Sequence, residues 1–267
     1  MKRIFLTGAS SGIGRAIAEA LTRRGYQVWG TSRDSSRLPP LLNFHPVALD
    51  LSDESSIGAA FANAESEAGA FDVVINNAGS GHFGPAAAMP MHELRREFEV
   101  LVFGQIHLMQ LALRGMRERN SGMMINVTSL ASRLPLPFMA SYNAAKAAMA
   151  VFTNSVQLEL YDSDVRVIDL QPADIRTNFN AMVAKFGFDS PDYRERAEKT
   201  WDVADRNMRN APGPEIVAHA VAELILNENP PPRVTVGDFF QSRVAPFIIR
   251  FLPMRLQLWG IAKYYGI

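Results

Sequence analysis

The chain has 267 residues, 48% hydrophobic and 20% charged, enough for one large α/β domain or two small ones with a sizeable core. Its 27 basic and 27 acidic residues cancel to a formal net charge of zero, so no polyanion-attracting field is expected and nucleic acid is not an expected partner. Cysteine is absent, which excludes disulfides, thiolate metal sites and a cysteine nucleophile. Five histidines show no paired ligand spacing, and no metal site is expected. After Met1-Lys2-Arg3 the apolar run Ile4-Phe5-Leu6 ends at Thr7-Gly8, short of the roughly 7–15 residues of a secretory core. No uncharged apolar segment approaches the roughly 18 residues of a spanning helix, and the chain reads as cytoplasmic.

In chain order, Ile4 to Leu6 reads as a strand and Gly12 to Arg24 as a helix with Ile13, Ile17, Ala20 and Leu21 on one face, stopped by Gly25. Tyr26 to Gly30 and Pro46 to Leu49 are the next strands, followed by a helix that Ser52 is expected to cap. Asp72 to Ile75 is a strand, Met91 to Arg119 one long helix, and Met123 to Val127 a strand. Tyr142 to Tyr161 reads as a helix, Val165 to Leu170 as a strand, Pro214 to Asn227 as a helix with a proline at its first position, and Val234 to Val236 as a last strand. This alternation predicts a doubly wound α/β (Rossmann) domain, with a mostly parallel sheet covered on both faces and residues 1–267 in one unit. Two stretches fall outside it. Residues 178–213 carry Phe179, Met182, Phe186, Phe188, Tyr193, Trp201 and Met208, and are expected to form a substrate lid. Residues 239–267 form an apolar tail with Arg243, Arg250, Arg255 and Lys263 and no acid after Asp238.

Thr7-Gly8-Ala9-Ser10-Ser11-Gly12-Ile13-Gly14 lies between the first strand and the first helix. Glycines there permit a tight turn and let backbone amides approach a phosphate at the helix N-terminus. The spacing is a variant of the dinucleotide fingerprint. At the end of the second strand, Thr31-Ser32-Arg33 puts a serine where a ribose-binding acid would fall and an arginine beside it. That arrangement argues for NADPH over NADH, slightly diluted by Asp34. Tyr142 and Lys146 are four apart and share a helical face. A tyrosine has an ordinary pKa of about 10, and the neighbouring ammonium and an oxidised nicotinamide are expected to pull it down toward the working range. Ser129, just past a strand, is placed to hydrogen-bond a substrate carbonyl.

These landmarks together, with Asp50-Leu51, Asn76-Asn77-Ala78-Gly79 and Pro172 through Thr177, resemble the short-chain dehydrogenase/reductase family over essentially the whole chain. Within it, Arg33, the Gly84-Pro85 turn and the tail look most similar to the 17β-hydroxysteroid and retinol dehydrogenase-like branch. The resemblance implies that Gly8, Ser10, Ser11, Gly12, Ile13 and Gly14 hold the cofactor phosphates, and that Asp50 and Leu51 sit by the adenine. It implies that Asn77, Ala78 and Gly79 support the cofactor, that Lys146 holds the nicotinamide ribose, and that Pro172, Ile175 and Thr177 lie by the carboxamide. Ser129, Tyr142 and Lys146 would be catalytic, Tyr142 as proton donor or acceptor. It also implies a homodimer or homotetramer built on the two long helices.

Three departures stand out. Leu101 occupies the position of the family's relay asparagine and cannot hydrogen-bond a water, so a proton relay must use backbone carbonyls or another side chain. Pro172-Ala173 replaces the usual Pro-Gly, and Ser11 stands where many NADP enzymes place a basic residue. The expected activity is NADP(H)-dependent interconversion of a carbonyl and an alcohol on a hydrophobic (steroid-, retinoid-, lipid- or aromatic-like) substrate. Leu101 motivates the alternative of a redox sensor or scaffold with little turnover. Expected pocket walls are Gly81 to Phe83, Leu134 to Met139 and the lid, with His82 more in keeping with surface decoration than with substrate contact. The tail suits a cover for the cleft or a subunit interface better than a membrane contact, since Pro246 and Pro253 interrupt a continuous helix.

Overall fold

A computed structural model describes residues 1–187 and 191–267; Phe188, one of the expected lid aromatics, lies outside the described residues. The first half runs β1 (Arg3–Leu6), α1 (Gly12–Arg23), β2 (Gln27–Ser32), β3 (Phe44–Ala48), α2 (Glu54–Ala68), β4 (Val73–Asn76) and β5 (His82–Phe83). Then come α3 (Met91–Phe98), α4 (Gly104–Glu118), β6 (Gly122–Val127), α5 (Ala140–Glu159) and β7 (Val165–Pro172). The rest is α6 (Phe179–Met182), β8 (Ala184–Lys185), α7 (Pro191–Asn210), α8 (Glu215–Leu226), β9 (Arg233–Val236), α9 (Ala245–Phe251) and α10 (Met254–Tyr265).

Seven strands form one parallel sheet in the order β3-β2-β1-β4-β6-β7-β9, the doubly wound Rossmann architecture expected from the alternation. Successive side chains of a strand face opposite sides, and the core divides accordingly. Ile4, Leu6, Val73, Ile75 and Ile125 join Ile17 and Leu21 of α1 and Val217, Val221 and Leu224 of α8. Phe5, Val74 and Met124 join Phe61 of α2, Leu108, Met109 and Met116 of α4, and Val156 of α5. Both faces are thus dry, as parallel sheets require. The strand order reverses between β1 and β4, where a crevice opens at the carboxyl ends of the strands and ligands of such folds bind.

Three details differ from expectation. Asp53 caps α2, its Oδ1 accepting from Ser55 N at 2.9 Å, while Ser52 instead donates to Asp50 from its amide at 2.9 Å and its hydroxyl at 2.7 Å. The helix expected over 91–119 is interrupted by a π-turn at Glu99–Phe103. His82–Phe83 and Ala184–Lys185 pair as a two-stranded parallel ribbon outside the main sheet. Helix α7 accounts for most of the expected lid.

Candidate active site

Gly8 sits at φ +70°, and a Cβ on it would lie 2.8 Å from Ala78 Cα. A Cβ on Gly14 would lie 2.1 Å from the Gly8 carbonyl oxygen and 2.4 Å from Asn77 Nδ2. Only glycine lets the turn and the first helical turn close this tightly. Thr7 locks the arrangement from below, its Oγ1 accepting from the amides of Asn77 at 2.9 Å and Ala78 at 3.0 Å. Helix α1 has no side-chain cap and no acid in its first turn, so its leading amides are free to bind an anion. These features fit a dinucleotide pyrophosphate.

The crevice is one continuous cavity of about 1310 Å³. Gly8, Ser10, Ser11, Gly12, Ile13, Gly14, Arg33, Asp50, Leu51, Asn77, Ala78, Gly79, Ser129, Tyr142, Lys146, Pro172, Ile175 and Thr177 all line it. The sequence-derived positions therefore converge on a single space. Its outer end holds Arg33 and Arg37, with Arg96 near Asp50. Asp34 accepts from Ser36 N at 3.0 Å and Ser36 Oγ at 2.6 Å, which holds its carboxyl below the ordinary range and caps the tight turn Ser35–Arg37. That turn brings Arg37 to the cavity alongside Arg33. Arg37 was not legible from spacing, because its position depends on how Asp34 folds the chain back. Asp50 is held below its usual range first by the Ser52 amide, then by the Ser52 hydroxyl and the charges of Arg33 and Arg96.

At the inner end, Ser129 Oγ accepts from the Ala131 amide at 3.0 Å and its hydroxyl hydrogen-bonds the Tyr142 phenol. Lys146 is buried, and its Nζ donates to the Val127 carbonyl at 2.8 Å while standing 5.9 Å from the Tyr142 ring centroid. The expected drop in the tyrosine's pKa is not what the chain alone produces. Tyr142 keeps some surface on the cavity, but protein surrounds its hydroxyl, and burial pushes it up to about 12 against the pull of the Ser129 hydrogen bond, with the Glu97 charge adding to the rise. Burial takes Lys146 the other way, to about 8, opposed by the charges of Asp169 and Glu97. Asp169 is itself buried, bonded by Thr128 Oγ1, by Gln171 Nε2 at 2.8 Å and by Arg233 Nε at 2.7 Å.

Leu101 is fully buried in the π-turn, packed with Ala145, Met149 and Tyr142. It is a core residue here. One turn earlier lies a buried polar group: Glu97 is 1% exposed, and its two oxygens accept no aligned hydrogen bond. His82 stands between two carboxylates, with Nδ1 3.2 Å from Glu97 and Nε2 3.3 Å from Glu93. His82 is buried rather than decorative, and all three residues line the cavity. Sequence reading missed Glu93 and Glu97 because acids on a helix normally mark its solvent side.

Most of the remaining wall is apolar, with Asn178, Asn180, Thr200 and Asn207 among it. Phe83 meets Trp201 edge-on at 4.9 Å and Tyr142 meets Phe179 at 5.6 Å, while Leu134, Leu136 and Met139 close one side. The tail covers the mouth, as expected of a cleft cover: Ala245, Ile249, Ile261 and Tyr265 line the same cavity.

Free amides at one end of such a cavity and a buried phenol at the other define an oxidoreductase on a dinucleotide-binding fold. The particular family follows from the chain itself. Residues 2–186 match the family described as short chain dehydrogenase, and the protein belongs to it. It is 28% identical over 266 residues to a 3-ketodihydrosphingosine reductase of Bacteroides thetaiotaomicron, covering 99% of this chain and 98% of that one. It is 27% identical over 252 residues to an NADPH-dependent 3-dehydrocapnine reductase of Ornithobacterium rhinotracheale, covering 89% and 88%. A short-chain dehydrogenase from Streptomyces avermitilis superposes with a TM-score of 0.82 at 28% identity, covering 98% of this chain and 97% of that one. The protein is thus an oxidoreductase acting on carbonyl and alcohol groups with a nicotinamide cofactor. The two named reductases are of other types than the 17β-hydroxysteroid and retinol dehydrogenases, and they lend that finer placement no support.

Proposed function

We propose that the protein is an NADP(H)-dependent ketoreductase for an apolar, lipid-like carbonyl compound, with Ser129, Tyr142 and Lys146 as its catalytic residues. The observation that carries this is the Tyr142 phenol, beside Ser129 at the inner end of a cavity that is continuous with the phosphate-ready turn and, apart from the His82, Glu93 and Glu97 cluster and a few amides, walled by apolar side chains. Arg33 and Arg37 at the outer end support the 2′-phosphate of NADP(H). The two relatives named as reductases of 3-ketodihydrosphingosine and 3-dehydrocapnine support a ketone as the reacting group.

A bound nicotinamide cofactor supplies the hydride. The chain's own residues do the rest. Gly8 to Gly14 and the α1 amides would hold the phosphates, Asp50 and Leu51 the adenine, and Asn77 to Gly79 the stretch between. Pro172, Ile175 and Thr177 would hold the carboxamide. The Ser129 hydroxyl and the Tyr142 phenol donate to one carbonyl oxygen, and Tyr142 passes its proton to that oxygen as the alcohol forms. The Lys146 ammonium offsets the phenolate left behind. An apolar wall selects by shape and desolvation. We also assign homo-oligomerisation to the faces of α4 and α5, the latter exposing Val151 and Leu158; light scattering tests it.

The test is NADPH consumption on a panel holding 3-ketodihydrosphingosine, a steroid ketone and an aromatic ketone, with Tyr142→Phe alongside. The variant is expected to lose about 10²–10⁴-fold in turnover while still binding NADPH. Equal traces for both proteins would remove the enzyme reading and favour the sensor that Leu101 suggested.

A further inference from the structure

The tail after Asp238 has two faces, and only one is accounted for. The inner face is anchored to the body. Gln241 Nε2 donates to Asp174 Oδ2 at 2.6 Å, Arg133 Nη2 donates to the Pro246 carbonyl at 3.3 Å, and Ala245 and Tyr265 are buried. Helices α9 and α10 fold back as a hairpin, with Gln257 Nε2 bonded to the carbonyls of Ile249 at 3.0 Å and Leu252 at 2.7 Å.

The outer face is apolar and bare. Of 21 large hydrophobic side chains exposed among the described residues, 12 lie between Phe239 and Ile267. Phe247, Phe251, Met254 and Trp259 are each 63–68% exposed, with the Phe247 and Phe251 rings 5.2 Å apart. A monomer rarely leaves so much apolar surface in one region without a partner for it. The charge on this face has one sign. Arg243, Arg250, Arg255 and Lys263 are interspersed and no acid follows Asp238. None of the four is in an ion pair among the described residues.

A third observation joins this face to the site. Ile248, Leu252, Leu256 and Tyr264 line the cavity mouth and are also exposed, so the cavity opens where the apolar surface lies. Two occupants fit an apolar face, a second copy of the chain or a lipid surface. A two-fold contact would set the four cations against the same four, whereas an anionic bilayer complements them.

We propose that the α9–α10 hairpin docks the protein on the surface of an anionic lipid bilayer, with the cavity mouth turned toward the acyl chains. No described helix is long and apolar enough to cross a membrane, so the contact is interfacial, with aromatic and aliphatic side chains in the headgroup boundary and the arginines at the phosphates. The inference rests on the hairpin alone and holds whichever carbonyl the enzyme reduces.

The experiment is co-sedimentation of the full chain with vesicles of phosphatidylcholine alone or mixed with phosphatidylglycerol, read also by Trp emission. Wild type is expected to pellet with the mixed vesicles, to shift its emission to the blue, and to be released by salt. Each cation near the surface contributes about fivefold, so Arg250→Gln with Arg255→Gln is expected to weaken binding roughly thirtyfold. Phe251→Glu with Trp259→Glu is expected to abolish it at an unchanged melting temperature; neither side chain lines the cavity. Wild type remaining in the supernatant with both vesicles overturns the proposal. So does equal binding to neutral vesicles, vesicle binding that the Phe251/Trp259 variant leaves intact, or a dimer which that variant splits without any vesicle binding. Retained turnover with lost vesicle binding separates this result from any failure of the ketoreductase reading.

Discussion

Replacing Arg33 by alanine removes one guanidinium group at the outer end of the cavity and leaves Arg37 and Arg96 in place. Asp34 does not compete for the ribose, because its carboxylate is already engaged by the Ser36 amide and hydroxyl. A hydrogen bond to a charged group contributes about 1.5–3 kcal/mol. Both arginines are exposed, so solvent screening places the contribution at the low end of that range. About 1.5 kcal/mol corresponds to roughly tenfold in NADPH dissociation constant. The double replacement with Arg37→Ala is expected to reach roughly a hundredfold by the same arithmetic. NADH lacks the phosphate and its affinity is expected to stay where it was in both variants. Titration of nicotinamide fluorescence with each cofactor measures all six constants. Equal losses for NADPH and NADH, or no loss in the double variant, would refute the assignment of this end of the cavity to the 2′-phosphate.

Gly14→Ala forces backbone apart, since its Cβ meets the Gly8 carbonyl at 2.1 Å; overpacking of this kind costs about 1–3 kcal/mol, and thermal melts should fall by about 2–4 °C per kcal/mol with cofactor binding lost. Leu101→Asn, which reinstates the family's usual side chain, puts an amide into a fully buried apolar site; an unpaired buried polar group costs about 1–3 kcal/mol, so the melt should drop, and an unchanged melt would show that the amide finds partners. Cofactor affinity should weaken as pH rises through about 8, where Lys146 loses its charge. Glu97→Gln should move that midpoint to lower pH, because the Glu97 carboxylate favours the ammonium; a midpoint that stays put would mean the two groups do not feel each other.

The parts of this molecule that were legible in its sequence are those in which local chemistry and fold agree. Thr7 to Gly14 announced a turn that only glycines can make, and Tyr142 with Lys146 announced a shared helical face. What escaped was set by long-range packing. A two-residue strand such as His82–Phe83 has no periodicity to read, and its partner lies a hundred residues away at Ala184–Lys185. The π-turn at Glu99–Phe103 contains neither proline nor glycine to mark it. The burial of Glu97 depends on the lid ribbon folding His82 over it, which a helix pattern cannot foretell. The fall in the tyrosine's pKa was expected from a charged neighbour and an oxidised nicotinamide, and in the chain by itself desolvation of the hydroxyl pushes it up instead.

The ribbon joining β5 to β8 lies outside the main sheet, and its flanking backbone bonds run from Ala184 N to Gly81 O and from Phe186 N to Phe83 O, both 3.1 Å. Local opening of such a unit needs far less free energy than global unfolding. Amides of Ala184 and Phe186 should therefore exchange with solvent deuterium long before those of Met124 and Ile125 in the central strand β6. Opening of the ribbon and global unfolding then belong to separate cooperative units. The ribbon can be loosened or tightened by substitution while the seven strands behind it keep their melting point.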